Sequence, residues 1–179
     1  MKDALKLLGI LFWGLLTAVI IYPFLHESGH TLAAFLIGAK VVEFNLLPLP
    51  NVLCNMANIS NSGIVFIGLN GMMLPIVFAV ILKLFSNGFW LRYVSFILNG
   101  ISLLASIISI VAIIAFYFEM PMLNEDVTQT LEMYPNSIAF IFIFMITVTV
   151  YLIIRLKIDK PIEKCLVYLE ITKTKSDIA

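Results

Sequence analysis

The only two histidines in this 179-residue chain stand four apart, in His26-Glu27-Ser28-Gly29-His30. On an α-helix, residues i and i+4 share one face, one turn apart. Two imidazoles at that spacing can grip one metal ion. Glu27 falls on a neighbouring strip of the same surface, where its carboxylate can take a proton from metal-activated water. This is the His-Glu-x-x-His pattern of zinc hydrolysis, with His26 and His30 as ligands and Glu27 as general base. The motif specifies only three residues. In a chain this poor in histidine, a chance match is on the order of one in a few hundred. The motif also lies in an apolar run, where ionisable groups are costly and are kept for function. The competing reading is a helix end with two solvated histidines and a stray acid.

Hydrolytic zinc takes three protein ligands and leaves a fourth position to water. Histidine is exhausted, so the third ligand must be Asp, Glu or Cys. Glu43 and Cys54 are nearest in sequence, and Glu125 and Asp126 lie in the acidic cluster at 119–126. Asn70 and Asn99 sit inside apolar runs and are poor zinc ligands. They suit either donation to a developing oxyanion or hydrogen bonding between helices.

The elements that must position these groups are membrane-spanning helices. The chain is 61% hydrophobic and 12% charged, with mean hydropathy +1.06. A soluble domain carries about 25% charged residues. The fold class is therefore an all-α membrane protein with about four transmembrane helices. Apolar runs at 7–25, 63–86, 90–118 and 136–156 are each about long enough to cross a hydrocarbon core of roughly 30 Å. The start resembles a signal peptide, but the run leads into the motif without a small-residue cleavage site, so it reads as a retained first span.

Pro23 cannot donate to the carbonyl of Val19, which predicts a kink ahead of the motif. Gly38 is the expected helix stop. One straight helix over 7–38 would be about 48 Å long, more than the membrane core. It must tilt, break near Pro23 or emerge at its end. Residues 40–62 change character. Lys40 to Leu47 is β-branched and partly alternating, Pro48 and Pro50 punctuate it, and asparagines follow at 51, 55, 58 and 61. This predicts a short extended or hairpin segment, which would be either an ordinary loop or a strand edge offered to an extended peptide. The asparagine-rich part is a candidate lining for a polar path that admits water. Residues 127–134 predict one or two helical turns ended by Pro135.

The organisation is a membrane-embedded domain over 1–156 and a charged tail over 157–179. Lys2, Lys6, Lys83, Arg92, Arg155 and the tail lysines fall on one side of a four-span arrangement, with only Lys40 opposite. The positive-inside rule then puts both termini in the cytoplasm, with the end of the first span and Asp126 sharing the other face. Zero net charge argues against nucleic acid as a partner. Cys54 and Cys165 are far apart and carry no redox message.

Leu25 to Ala34, running on to Gly38, resembles the first motif of the site-2 protease family of intramembrane zinc proteases. That family's second motif is Asn-x-x-Pro-x-x-x-x-Asp-Gly, and Pro121 and Asp126 keep its Pro-to-Asp spacing. Phe118 stands at its Asn position and Val127 at its Gly position. The resemblance covers roughly residues 10–135 and is closest to the compact members. It implies Asp126 as the third ligand of Zn²⁺, and cleavage of a membrane protein or peptide substrate within the lipid bilayer. It also implies a multi-pass protein of the plasma membrane, bacterial in type. Two other classes compete. One is a non-proteolytic metal-binding membrane protein, a degenerate accessory or immunity factor, against which an intact Glu27 argues. The other is a metal transporter, which would need more ionisable residues along spans two to four.

Overall fold

The computed structural model describes residues 2–45, 50–85, 88–121 and 125–176. Pro48, the Ser86-Asn87 pair and the middle of the acidic cluster lie outside the described residues. The element order is α1 (Lys2–Leu16), a π-helical segment (Thr17–Ile21), α2 (Tyr22–Leu36), β1 (Lys40–Asn45), β2 (Asn51–Asn55), α3 (Asn61–Phe85), α4 (Phe89–Tyr117), α5 (Asp126–Met133), a 3₁₀ turn (Pro135–Ser137), α6 (Ile138–Asp159) and α7 (Pro161–Ser176). Four stretches are long and apolar enough to cross a membrane: Ala4–Leu36, Asn61–Phe85, Phe89–Tyr117 and Pro135–Leu169. The chain is a multi-pass, all-α membrane protein with one two-stranded antiparallel hairpin.

The first span is one continuous helical run, longer at both ends than 7–25. Pro23 does not break it. The hydrogen-bond register changes just ahead, in the π segment that contains Val19, and the Tyr22 N–H reaches back to the Thr17 carbonyl. A π turn widens the ladder by one residue and absorbs the donor that proline lacks. α2 then ends as expected. Gly38, at φ +77°, donates to the Phe35 carbonyl, and Ala39 donates to Ala34. A positive φ at this position is what a helix-terminating glycine supplies. α6 runs past residue 156 to Asp159, where Lys160 in the left-handed region turns the chain into α7.

Packing inverts the soluble pattern. Leu5, Leu8, Leu11, Phe12, Leu15, Val19 and Ile20 all lie exposed along the first span. Lipid is as apolar as they are, so nothing drives them inward. The face of α4 turned inward instead carries Ser95, Asn99, Ser102, Ser106 and Ser109, all buried. Small polar side chains let helices approach and bond across the gap. Ser95 donates to the Ala79 carbonyl at 2.7 Å, and Thr149 on α6 donates to Ser106 at 2.9 Å. The main apolar core joins α3, α4, α5 and α6 around Leu69, Met72, Ile113, Leu131, Ile141 and Met145. Val127 and Leu131 anchor α5 in it.

The hairpin pairs Lys40 with Asn55 and Asn45 with Asn51, with an irregularity between Val41 and Glu43. Val41, Cys54, Met56 and Ile59 cover Ala33, Ala34 and Ile67, so the hairpin caps the end of the first span.

Candidate metal centre

α2 and α3 touch back to back, and glycine makes this possible at two positions. A Cβ on Gly29 would meet the Asn70 carbonyl oxygen at 2.1 Å, and one on Gly71 would meet His30 Nε2 at 2.3 Å and His26 Cε1 at 3.0 Å. Both imidazoles therefore rest directly on the Gly71 backbone, near the middle of α3. α3 continues through Pro75, which removes the helical donor to the Gly71 carbonyl.

Asp126 comes from the other side. It opens α5, whose start is fixed by a capping box between Glu125 and Thr128. Thr130 donates to the Asp126 carbonyl at 2.7 Å, and its hydroxyl sits where Gly68 of α3 has no side chain. α5 is thereby seated on α3 with Asp126 aimed at the histidines. Asp126 Oδ2 lies 2.7 Å from His26 Nε2 and 3.2 Å from His30 Nε2, and the two Nε2 atoms are 3.2 Å apart. Among the described residues this is the one group of three with the atoms to hold a metal ion.

The chemistry of the donor set fits a cation. His30 Nδ1 lies 2.8 Å from the Ile67 carbonyl, which can only accept, so Nδ1 carries a proton. In a neutral imidazole Nε2 then presents a lone pair. That lone pair faces a carboxylate oxygen and a second ring nitrogen at 3.2 Å. Such an arrangement needs positive charge at its centre, either an imidazolium or a metal. A tetrahedron with bonds of about 2.0–2.2 Å has edges of about 3.3–3.6 Å. Two edges of the observed triangle, at 3.2 Å, come close to this, and the third, between His26 and Asp126 at 2.7 Å, is a hydrogen-bond distance that a bound ion would widen. The bond from His30 Nδ1 to a carbonyl is also the usual outer support of a zinc-bound histidine.

Burial alone would push the Asp126 carboxyl up. Hydrogen bonds from His26 and His30 outweigh it and hold the group well below the usual carboxylate range. Asp126 thus stays ionised at neutral pH, as a ligand must. Its side chain is 40% exposed, against 21% for His26 and 9% for His30. Although surrounded by protein, Asp126 forms the accessible lip of the site.

Glu27 is buried beside the cluster, within electrostatic reach of His26, His30 and Asp126. The rivals for third ligand lie elsewhere. Glu125 turns away to α4, where its Oε2 accepts from Ser109 at 3.0 Å, and burial pushes its carboxyl up against that bond. Glu43, on the exposed hairpin, accepts from Asn45 at 2.6 Å, and Cys54 packs in the small hairpin core. Of the second-motif departures, Phe118 is exposed at the C-cap of α4 and Val127 is buried in the main core. Asn51, Asn55, Asn58 and Asn61 are exposed on or beside the hairpin. Asn70 donates to its own helix at Phe66, at 2.6 Å, so it bridges no helices through that bond.

Sequence reasoning passed over Tyr22, one turn before His26 on the same face. Its ring stacks on the His26 ring at 6.0 Å, and its hydroxyl points towards Ser102 and the Asp126 charge. Buried polar atoms without a protein partner are Tyr22 Oη, His26 Nδ1, Asn99 Oδ1, Ser102 Oγ, Glu125 Oε1 and Arg155 Nε among the described residues. All but the last belong to the cluster, its immediate neighbours or the facing stretch of α4. Each unmade bond costs about 1–3 kcal/mol, so these atoms are suited to bind ordered water.

Gly71→Ala is expected to drive the imidazoles off the α3 backbone and lower metal affinity by at least about tenfold, since misplaced ligands cost 10–100-fold. Titration of purified variant with zinc against a competing chelator measures it; wild-type affinity would show that the close approach is not needed. No protein-family model, curated protein or solved structure matches the chain.

Proposed function

We propose that the protein is a zinc-dependent intramembrane endopeptidase, of the kind its first motif resembles. The observation that carries this reading is the triangle of His26 Nε2, His30 Nε2 and Asp126 Oδ2, with Glu27 beside it, packed against the middle of a membrane-spanning helix. His26, His30 and Asp126 would hold Zn²⁺. Bound zinc supplies a Lewis acid and water acidified towards pKa 7 at its open position.

The other steps belong to the chain. Glu27 takes the proton from the attacking water and returns it to the leaving amine. His30 is held in one tautomer by Ile67, and His26 is held by the Tyr22 ring. Bilayer and helices exclude bulk water, which strengthens every charge interaction in the site. The partly exposed Asp126 edge is where a substrate strand enters. A mid-membrane site suits a membrane protein or a peptide as substrate.

The test is metal content and turnover together. Purified protein is expected to hold about one zinc and to cleave single-span membrane substrates in a chelator-sensitive way. His26→Ala should lose both. Equal zinc in wild type and variant, or chelator-insensitive cleavage, refutes the reading.

We also propose that both termini are cytoplasmic, from the lysine and arginine distribution. An even number of spans supports both ends lying on one side. Cysteines introduced at position 3 and in the tail should resist an impermeant reagent added to intact cells. Labelling of both from outside would reverse the orientation.

A further inference from the structure

The inward face of α4 carries Ser95, Asn99, Ser102, Ser106 and Ser109. Three of these have partners. Ser95 donates to the Ala79 carbonyl, Ser106 to the Leu103 carbonyl and Ser109 to Glu125. Asn99 Oδ1 and Ser102 Oγ have none among the described residues, although Asn99 is only 2% exposed and Ser102 0%. Three positions apart on a helix, they are neighbours on one face, near the middle of α4. Tyr22 of α2 supplies a third such atom. It is buried together with Leu25, Ala79, Val94 and Leu98, which lays it against the same stretch of α4. Its hydroxyl is turned towards Ser102 without completing a bond to it. The unmade bonds thus gather where α2 meets α4, and the Tyr22 ring stacks on the metal ligand His26 at 6.0 Å. Lipid cannot answer them, and a buried polar atom left without a bond is costly.

We propose that Tyr22 Oη, Asn99 Oδ1 and Ser102 Oγ bind an internal water molecule beside the metal centre. A buried water makes about three hydrogen bonds. Here it donates to Asn99 Oδ1 and bonds both hydroxyls, each of which can donate or accept. None of the three atoms carries a charge, so the ligand is neutral. The role of this water follows from its place. A hydrolase within lipid consumes one water at each turnover and has no bulk water at hand. The internal water is its local supply. That role rests on the proposed hydrolysis, whereas the water site rests on the unpartnered atoms alone.

A crystal structure of the full chain grown from a lipid mesophase, at a resolution that shows ordered water, reads the site directly. One density peak is expected at about 2.5–3.0 Å from all three oxygens. A dry site, or a direct Tyr22–Ser102 bond with no water between, overturns the proposal. Thermal unfolding in detergent gives an independent sign. Ser102→Ala removes one of the water's partners and is expected to lower Tm by about 2–4 °C, the effect of one lost bond in a chain of this size. An unchanged or raised Tm means that the hydroxyl was buried dry, and the assignment fails. Kinetics then tests the supply role. Asn99→Leu with Ser102→Ala is expected to keep zinc and to lower kcat with KM unchanged, because neither residue is a metal ligand and the loss falls on the step that uses water. An unchanged kcat removes that role. If the wild type cleaves nothing while the density is present, the protease reading fails and the water site stands.

Discussion

Glu27→Gln is expected to keep its zinc and lose cleavage by at least about 10²-fold, the lower end of what a positioned general base contributes. The substitution preserves shape and burial. It removes one property, the capacity to accept a proton, because an amide oxygen is a far weaker base than a carboxylate. Glu27 is not one of the three converging ligand atoms, so the metal should stay. Single-turnover cleavage of a single-span substrate, with zinc content measured on the same sample, separates the outcomes. Wild-type cleavage would mean that Glu27 is not the base. Loss of zinc together with activity would make it part of the metal's support. If neither form cleaves any substrate while both hold zinc, the site is a structural one, as in an accessory factor.

Asp126→Ala is expected to lower zinc affinity by at least about 100-fold and to abolish cleavage. Losing a group that merely supports a ligand costs 10–100-fold, and Asp126 touches both imidazoles directly. The charge balance points the same way. With the carboxylate gone, a dication would sit beside two neutral rings in a membrane with one fewer compensating charge. Glu125→Ala and Glu43→Ala serve as matched controls. Glu125 is spent on Ser109 and the α5 cap, and Glu43 on the exposed hairpin. Glu43→Ala should keep zinc affinity within a few-fold of wild type, and Glu125→Ala, which removes the cap beside Asp126, should lose less than Asp126→Ala. A chelator-competition titration of all three variants decides the matter. If Asp126→Ala retains zinc and activity, the third ligand is another group, and the spacing from Pro121 is coincidence.

Much of this molecule can be read locally. A helical i, i+4 repeat brings His26 and His30 to one face, and Glu27 comes with them, whatever the rest of the chain does. The four spans follow from runs of apolar residues, since a helix is how an uninterrupted apolar segment satisfies its backbone in lipid. Gly38, the hairpin and α5 were legible for the same reason: turn residues and alternation act over a few positions.

Only the tertiary structure decided the rest, because it depends on contacts between distant residues. Asp126 meets His26 across one hundred positions, and only the docking of α5 on α3 through Thr130 and Gly68 separates it from Glu125. The Gly29–Gly71 approach is invisible in sequence, where both are simply small residues in apolar runs. Pro23 announced a disturbed helix, but the fold chose a π segment that keeps the motif on a continuous helix. Local residues thus set which groups are available for chemistry. The packing of glycines between helices set how closely those groups converge.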